Sequence, residues 1–362
     1  MYKSFEVRNF RCFRKLFLDK LERVNLVAGL NNVGKTALLE ALFLHCGASN
    51  PELTMRLNAF RGVESIKVDL GSWSETPWHS LFWGYDVTRE VELVGENTLN
   101  GQRSLRLKLV RREEEFAKLR PSVKHSLYEP KIIALSSEAL AQVLELEYKD
   151  RAGHAHNYYM ILDPNGMHIE PTPPPPPFPA IFLGARIRIP AATDAERLGK
   201  LEILGQQDVL LKILKLVEPR LRRLAVAVVA GVPMIHGDAG LGRLVPLPFM
   251  GEGMVRICSL VLAIANSPKG VVLVDEVENG LHHSILNKVW TAVAEVARQF
   301  DVQIFATTHS LECIVAAHMA FIESGIYDFR LHRLEHVNDA IRAVTYDRET
   351  LEAAIEMEME VR

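Results

Sequence analysis

Residues 23–45 read Arg23-Val-Asn-Leu-Val-Ala28-Gly29-Leu30-Asn31-Asn32-Val33-Gly34-Lys35-Thr36-Ala37-Leu-Leu-Glu-Ala-Leu-Phe-Leu-His45. Arg23–Ala28 is a short run rich in Val and Leu, which predicts a strand. Ala37–His45 is an unbroken run of helix formers and predicts a helix. Between them stands Gly29-x-x-x-x-Gly34-Lys35-Thr36. Strand, glycine loop and helix, in that order, is the context in which this spacing cradles phosphate. Glycines let the backbone amides turn inward around phosphate oxygens, and the helix points its positive end at the same place. Lys35 would reach the outer phosphates, and the Thr36 hydroxyl would ligate Mg²⁺. Gly29, Asn31, Asn32, Val33, Gly34, Lys35, Thr36 and Ala37 are therefore the candidate nucleotide-binding residues.

Downstream, Gly270–Val274 reads as a buried strand that ends in Asp275-Glu276. Asp275 would hold the Mg²⁺ shell, and Glu276, aimed differently, would polarise an attacking water. After a predicted helix (Leu281–Gln299) comes another buried strand, Val302–Thr307, followed by Thr308-His309-Ser310. A histidine at the carboxyl end of a parallel strand lies where open α/β sheets build their sites, so His309 is a second catalytic candidate. Upstream, Pro248-Phe-Met-Gly251-Glu252-Gly253-Met-Val-Arg256 precedes a predicted apolar helix, Met254–Asn266. Two glycines opening a helix form either a flexible turn or another anion-binding nest.

The rest of the chain bounds these readings. It has 362 residues, a formal net charge of -3 from 42 basic and 45 acidic side chains, 48% apolar residues and 24% charged residues. That is ordinary for a soluble globular protein and provides no global basic field for nucleic acid. Local Arg clusters stand at Arg111-Arg112, Arg186 with Arg188, and Arg220 with Arg222-Arg223. Cys12, Cys46, Cys258 and Cys313 show no spacing that suggests disulfides or zinc. The most apolar stretch, Leu224–Ile235, is shorter than the roughly 20 residues that a spanning helix needs. The expectation is a cytoplasmic protein without membrane contact.

Strands alternating with helices at both ends imply an α/β fold, a mostly parallel sheet with helices on both faces. Residues 51–179 instead carry short alternating segments at Ser65–Leu70, Thr88–Val94, Ser104–Val110, Leu144–Tyr148 and Tyr158–Leu162, which predict an antiparallel β insertion. The run Pro171-Thr-Pro-Pro-Pro-Pro-Pro177 closes it, as a stiff spacer or as a ligand for an aromatic groove. A strand over Ala180–Ile189, a helix over Leu201–Leu224 and a meander over Leu224–Pro246 come next. The expected division is residues 1–50 and 267–362 as the two parts of a nucleotide-binding core, 51–179 as the insertion, and 180–266 as a helical lobe that carries the glycine turn.

The four motifs in this order resemble ABC-type P-loop ATPases. The details resemble the DNA-associated branch: structural-maintenance-of-chromosomes (SMC) proteins, RecF-like repair ATPases and the ATPase domain of the overcoming-lysogenization-defect (OLD) nucleases. Phe5-Glu-Val-Arg-Asn9-Phe10-Arg11-Cys-Phe13 is similar to that branch's first strand. Leu30-Asn31-Asn32-Val33 and Glu278-Asn279-Gly280-Leu281-His282 are similar to the OLD-like group. The resemblance implies a P-loop NTPase head of ABC type that uses ATP and Mg²⁺. In such a head two subunits meet head to head, each phosphate loop completed by the other's glycine motif. Gly251, Glu252 and Gly253 would then act in trans, Glu278, Asn279 and His282 would lie on the loop crossing the dimer interface, and Arg11 would sit near nucleotide or DNA. Met250 stands where the usual signature has serine. There is no long coiled-coil arm, and too little chain follows His309 for a nuclease domain.

These readings lead to an ATPase acting as an ATP-gated switch. It would work as a homodimer or higher even oligomer on DNA or on a separate effector such as a nuclease or toxin, in anti-phage defence or DNA repair. The alternatives are a nucleotide-binding scaffold with little turnover, which Met250 motivates, and a transporter energy subunit, which the Asn-Asn loop disfavours.

Overall fold

The computed structural model describes residues 1–62, 76–98, 101–110, 142–163, 166–185 and 188–362. The strand expected at Ser65–Leu70, the Arg111-Arg112 pair and Arg186 lie outside them.

The chain opens with β1 (Tyr2–Phe10) and β2 (Phe13–Leu18). β3 (Val24–Gly29) then runs through the glycine loop into α1 (Lys35–Cys46). Where the sequence predicts the β-rich insertion to begin, the chain forms a helix, α2 (Glu52–Phe60). Leu53, Thr54, Leu57 and Asn58 recur at helical spacing and supply its buried face. The strands β4 (Val91–Asn97), β5 (Gly101–Val110), β6 (Gln142–Lys149), β7 (Ala155–Asp163), β8 (Gly166–Glu170) and β9 (Ala180–Leu183) follow. The long helix expected over Leu201–Leu224 is instead two helices, α3 (Ala191–Ile203) and α4 (Asp208–Leu214). Gly205, at φ +67°, lies between them in the left-handed region that ends helices. The meander appears as β10 (Arg223–Val229), β11 (Val232–Asp238) and β12 (Val245–Pro246). Then come α5 (Glu252–Ala265), β13 (Val271–Val274), α6 (Leu286–Gln299), β14 (Gln303–Thr307) and α7 (Leu311–Glu323). β15 (Phe329–Val337), β16 (Ala340–Tyr346) and α8 (Arg348–Glu356) end the fold. α7 has no counterpart among the sequence expectations, although Ser310 caps it by accepting from the Cys313 amide at 3.1 Å.

The chain divides into two units. The first comprises Met1–Lys3, Leu18–Leu39 and Phe178–Arg362. Its main sheet has the order β16-β15-β3-β14-β13-β9, parallel throughout except for the β15–β16 pair. One row of the register runs Ile181, Val272, Ile304, Val24, Phe329. β3, β13 and β14 are buried along their whole length, which is why they read as unbroken apolar runs rather than alternating ones. Among the helices of this unit, α5 is apolar almost all round and packs against α3, α4 and α6. Because β3, β14 and β13 are neighbours running the same way, the loops that follow them leave the sheet side by side at its carboxyl edge.

The second unit comprises Ser4–Phe17 and Glu40–Pro177, a wider span than 51–179. Its sheet has the order β2-β1-β4-β5-β6-β7-β8, with β4 to β8 an antiparallel meander. β4 and β5 alternate buried and less buried residues, so one face is covered. Glu40, fully buried, pairs with Arg11 at 2.6 Å and with Arg61 at 2.8 Å. A carboxylate so far from water needs that company. No helix among the described residues is long and apolar enough to cross a membrane.

Two histidines give the fold an acid-sensitive component. His45, in the second unit, faces the Arg103 carbonyl at 3.1 Å, and His332, in the first, faces the Thr345 hydroxyl at 3.1 Å. Burial pushes both down to about 3. An unfolded histidine titrates near ~6.5, so between the two values the unfolded chain binds a proton that the folded chain refuses. Stability is therefore full above ~6.5 and declines as pH falls toward 3. At pH 4.5 each histidine is expected to withdraw about 2–3 kcal/mol relative to pH 7. Urea midpoints followed by circular dichroism from pH 7 to 4.5 measure this, and flat midpoints would contradict neutral burial.

Candidate functional site

The site is built within the first unit, from the three loops that follow β3, β13 and β14. Gly29 takes φ +143°, and a Cβ there would lie 2.6 Å from the Leu334 carbonyl oxygen on the neighbouring strand. Only glycine can begin the loop so close to β15. Gly34 takes φ +94° and Asn32 φ +64°, which bend the loop back onto α1. Val33 is buried beneath the bend, Asn31 and Asn32 are exposed, and Ala37 is buried in the first turn of the helix. The Lys35 ammonium lies over the loop and donates to the Gly29 carbonyl at 2.6 Å and the Leu30 carbonyl at 3.0 Å. Its burial lowers its pKa, while Asp275, Glu276 and Glu278 pull the other way.

Thr36 Oγ1 donates to Asp275 at 3.1 Å from Oδ1 and 3.0 Å from Oδ2. Asp275 Oδ1 also accepts from Thr307 Oγ1 at 2.7 Å. Burial pushes the Asp275 carboxyl up, and the two hydroxyls hold it back. A hydroxyl and a carboxylate this close are hard oxygen donors of the kind Mg²⁺ takes, alongside phosphate and water. They fit that ion even though the described residues contain no cluster of three or more His, Cys, Asp or Glu side chains that could hold a metal.

Glu276 adopts φ +48°, a conformation unfavourable for a side chain of this kind. Three groups hold it there. Its amide donates to Thr307 Oγ1 at 2.8 Å, its carbonyl accepts from the Asn279 amide at 3.1 Å, and Arg256 reaches the same carbonyl at 3.2 Å. Arg256 also donates to the Asp275 carbonyl at 2.5 Å and the Gly184 carbonyl at 3.2 Å. Burial lowers the Arg256 pKa, and the neighbouring acids oppose that fall. The Glu276 carboxylate accepts from Asn279 Nδ2 at 2.6 Å.

Glu278 turns to the third loop. Its Oε1 accepts from Thr308 Oγ1 at 2.8 Å and from the His309 amide at 3.0 Å, with His309 Nδ1 3.3 Å away. The His309 side chain stays half exposed. Lys35, Thr36, Asp275, Glu276 and His309 thus belong to one connected cluster at the carboxyl edge of the sheet.

The remaining candidates occupy two further places. Gly251 takes φ +113° and opens α5, Glu252 pairs with Arg188 at 2.9 Å, and a Cβ on Gly253 would lie 2.8 Å from the Gly280 carbonyl oxygen. The glycine turn is therefore packed directly on the 278–282 loop. At the end of that loop His282 accepts from the Ser284 amide and caps the short turn that follows. Met250 packs on Gly237, where a Cβ would meet its sulfur at 2.8 Å. Arg11 belongs to the second unit, where its partners are Glu40 and the Ser80 carbonyl. Burial pushes it down to about 10.

Two residues central to this geometry, Arg256 and Thr307, carry no role in the sequence motifs alone. The signal was present for Thr307, a hydroxyl at the carboxyl end of an apolar strand. Arg256 carried none, since its partners are backbone carbonyls far along the chain.

Residues 24–314 match the family model described as "AAA domain, putative AbiEii toxin, Type IV TA system". An ATP/GTP phosphatase of Helicobacter pylori is 23% identical, over 99% of each chain. An uncharacterized protein of Methanocaldococcus jannaschii is 42% identical over 94 residues, 26% of this chain and 40% of that protein. Among solved structures, the SMC head domain from Thermotoga maritima aligns with a TM-score of 0.46 at 14% identity, covering 96% of this chain and 99% of that one.

Proposed function

We propose that this chain, which belongs to the AAA-domain family matched over residues 24–314, works as an ATP-gated switch, two copies closing on ATP and reopening on hydrolysis. The observation that carries the reading is the convergence of Lys35, Thr36, Asp275 and Glu276 on one edge of the sheet. The phosphate-loop amides and the Lys35 ammonium bind the β- and γ-phosphates. Thr36 and Asp275 would hold Mg²⁺, which would supply neutralisation of charge developing on the phosphate oxygens. Glu276 takes a proton from the attacking water as the new O–P bond forms. The bond from the γ-phosphorus to the bridging oxygen breaks, and ADP leaves with that electron pair. His309, held by Glu278, hydrogen-bonds the γ-phosphate or the water.

In this reading Gly251, Glu252 and Gly253 meet the γ-phosphate bound by the other copy, and Glu278, Asn279 and His282 line the junction. The partner effector is a separate protein, and the toxin–antitoxin description of the family supports that direction. DNA is the second candidate partner, through Arg220, Arg222 and Arg223. The nucleotide-holding scaffold with little turnover keeps one supporting observation: Met250 is turned onto Gly237, and no hydroxyl stands at that position.

The test is mass in solution by light scattering with Mg²⁺ and ATP. Glu276→Gln is expected to double in mass with ATP and to return to monomer when ATP is removed. An unchanged monomer in both wild type and Glu276→Gln would overturn the switch.

A further inference from the structure

Glu276 sits in a strained backbone conformation, and its carboxylate is gripped from one side only. Asn279 Nδ2 donates to Oε2 at 2.6 Å, and no other hydrogen bond to that carboxylate occurs among the described residues. Strain and a directed hydrogen bond on the same side chain are a combination that active sites use to fix geometry. The Asn279 backbone is itself fixed. Its amide donates to the Glu276 carbonyl at 3.1 Å, and the next residue, Gly280, takes φ +75°. Gly280 is pressed on the glycine turn from both directions: a Cβ on Gly253 would strike its carbonyl oxygen at 2.8 Å, and a Cβ on Gly280 would meet Glu252 Cγ at 3.1 Å.

From this arrangement the geometry points to Asn279 as the positioning residue of the ATPase reaction. Its amide holds one carboxylate oxygen of Glu276 so that the other, Oε1, is presented to the attacking water. The inference rests on Glu276 being the base, and it adds the device that aims that base. The charged groups around Glu276 are Asp275 beside it, Lys35 from α1 and Arg256 from α5. None of these touches the far oxygen, so orientation falls to Asn279. The tight Gly253–Gly280 contact makes the aim depend on the glycine turn, because any shift of that turn moves the loop that carries Asn279.

The experiment compares Asn279→Ala, Asn279→Asp and Glu276→Gln in steady-state ATP hydrolysis and in direct ATP binding. Asn279→Ala is expected to lower kcat about 10–100-fold, with KM and ATP affinity within about twofold of wild type, the pattern for an aimed group lost from the transition state. Asn279→Asp has the same shape but presents an acceptor to an acceptor. It is expected to fall at least as far as Asn279→Ala, whereas a merely space-filling Asn279 would leave it near wild type. Wild-type kcat in Asn279→Asp, or a rate above wild type in Asn279→Ala, would overturn the inference. Wild-type turnover in Glu276→Gln would remove the base, and this inference with it. A dead Glu276→Gln beside a fully active Asn279→Ala would overturn the inference alone.

Discussion

Lys35→Ala is expected to reduce ATP hydrolysis by ~10²–10³-fold, the scale for removing one preorganised charge-stabilising group from a transition state. The Lys35 ammonium is half-buried and bonded to two carbonyls of its own loop, Gly29 and Leu30. Burial has already taken part of its hydration, as the lowered pKa records. A triphosphate entering the loop therefore meets a cation whose solvation cost has been met on folding, which makes the contact worth more than one made in water. Among the described residues it makes no hydrogen bond outside the loop, so the variant should fold and melt like wild type. Lys35→Arg is not expected to restore activity, since a planar fork cannot replace a point charge enclosed by two loop carbonyls. Phosphate release and binding of a fluorescent ATP analogue measure the two effects. Turnover surviving in Lys35→Ala would contradict the site itself.

Glu276→Gln is the second large effect: a loss of hydrolysis on the order of 10²–10⁴-fold with ATP binding retained. The substitution keeps the length and shape of the side chain and removes only its ability to take a proton. The backbone conformation at φ +48° is held by Thr307, Arg256 and the Asn279 amide, none of which bonds to the carboxylate through those contacts. Lys35, Thr36 and Asp275 remain as they were, so nucleotide should bind. Single-turnover hydrolysis and equilibrium binding separate the two quantities. Loss of both together would place Glu276 in binding rather than in chemistry.

Much of this was legible in the residues. The central strands were visible because full burial removes alternation, and the glycine loop because its spacing sits between a strand and a helix. Asp275 and Glu276 were legible because acids directly after a buried run must leave the sheet at its edge. The miss at α2 has a physical cause. Its nine residues bury only Leu53, Thr54, Leu57 and Asn58, half of them polar, so the helical stripe is faint. The break between α3 and α4 was readable only as Gly205, and the apolar spacing on both sides masked it. Arg11 shows the converse. Its sequence context resembles a family in which the position approaches nucleotide, while its pairing with the buried Glu40 is one that no local pattern reveals. Arg256 was illegible for a deeper reason, since backbone carbonyls leave no trace in composition.

The order of the strands has a consequence for the birth of the protein. β3, formed from residues 24–29, pairs with β14 and β15, whose residues begin at 303 and 329. On a ribosome the phosphate loop is therefore made early and left without its neighbours until most of the chain has emerged, because long-range parallel pairing must wait for both strands. A nascent or truncated chain holds the glycine loop without Asp275 and Glu276, and on the proposed reading it is expected to hydrolyse no ATP before the last quarter of the polypeptide arrives to close the sheet.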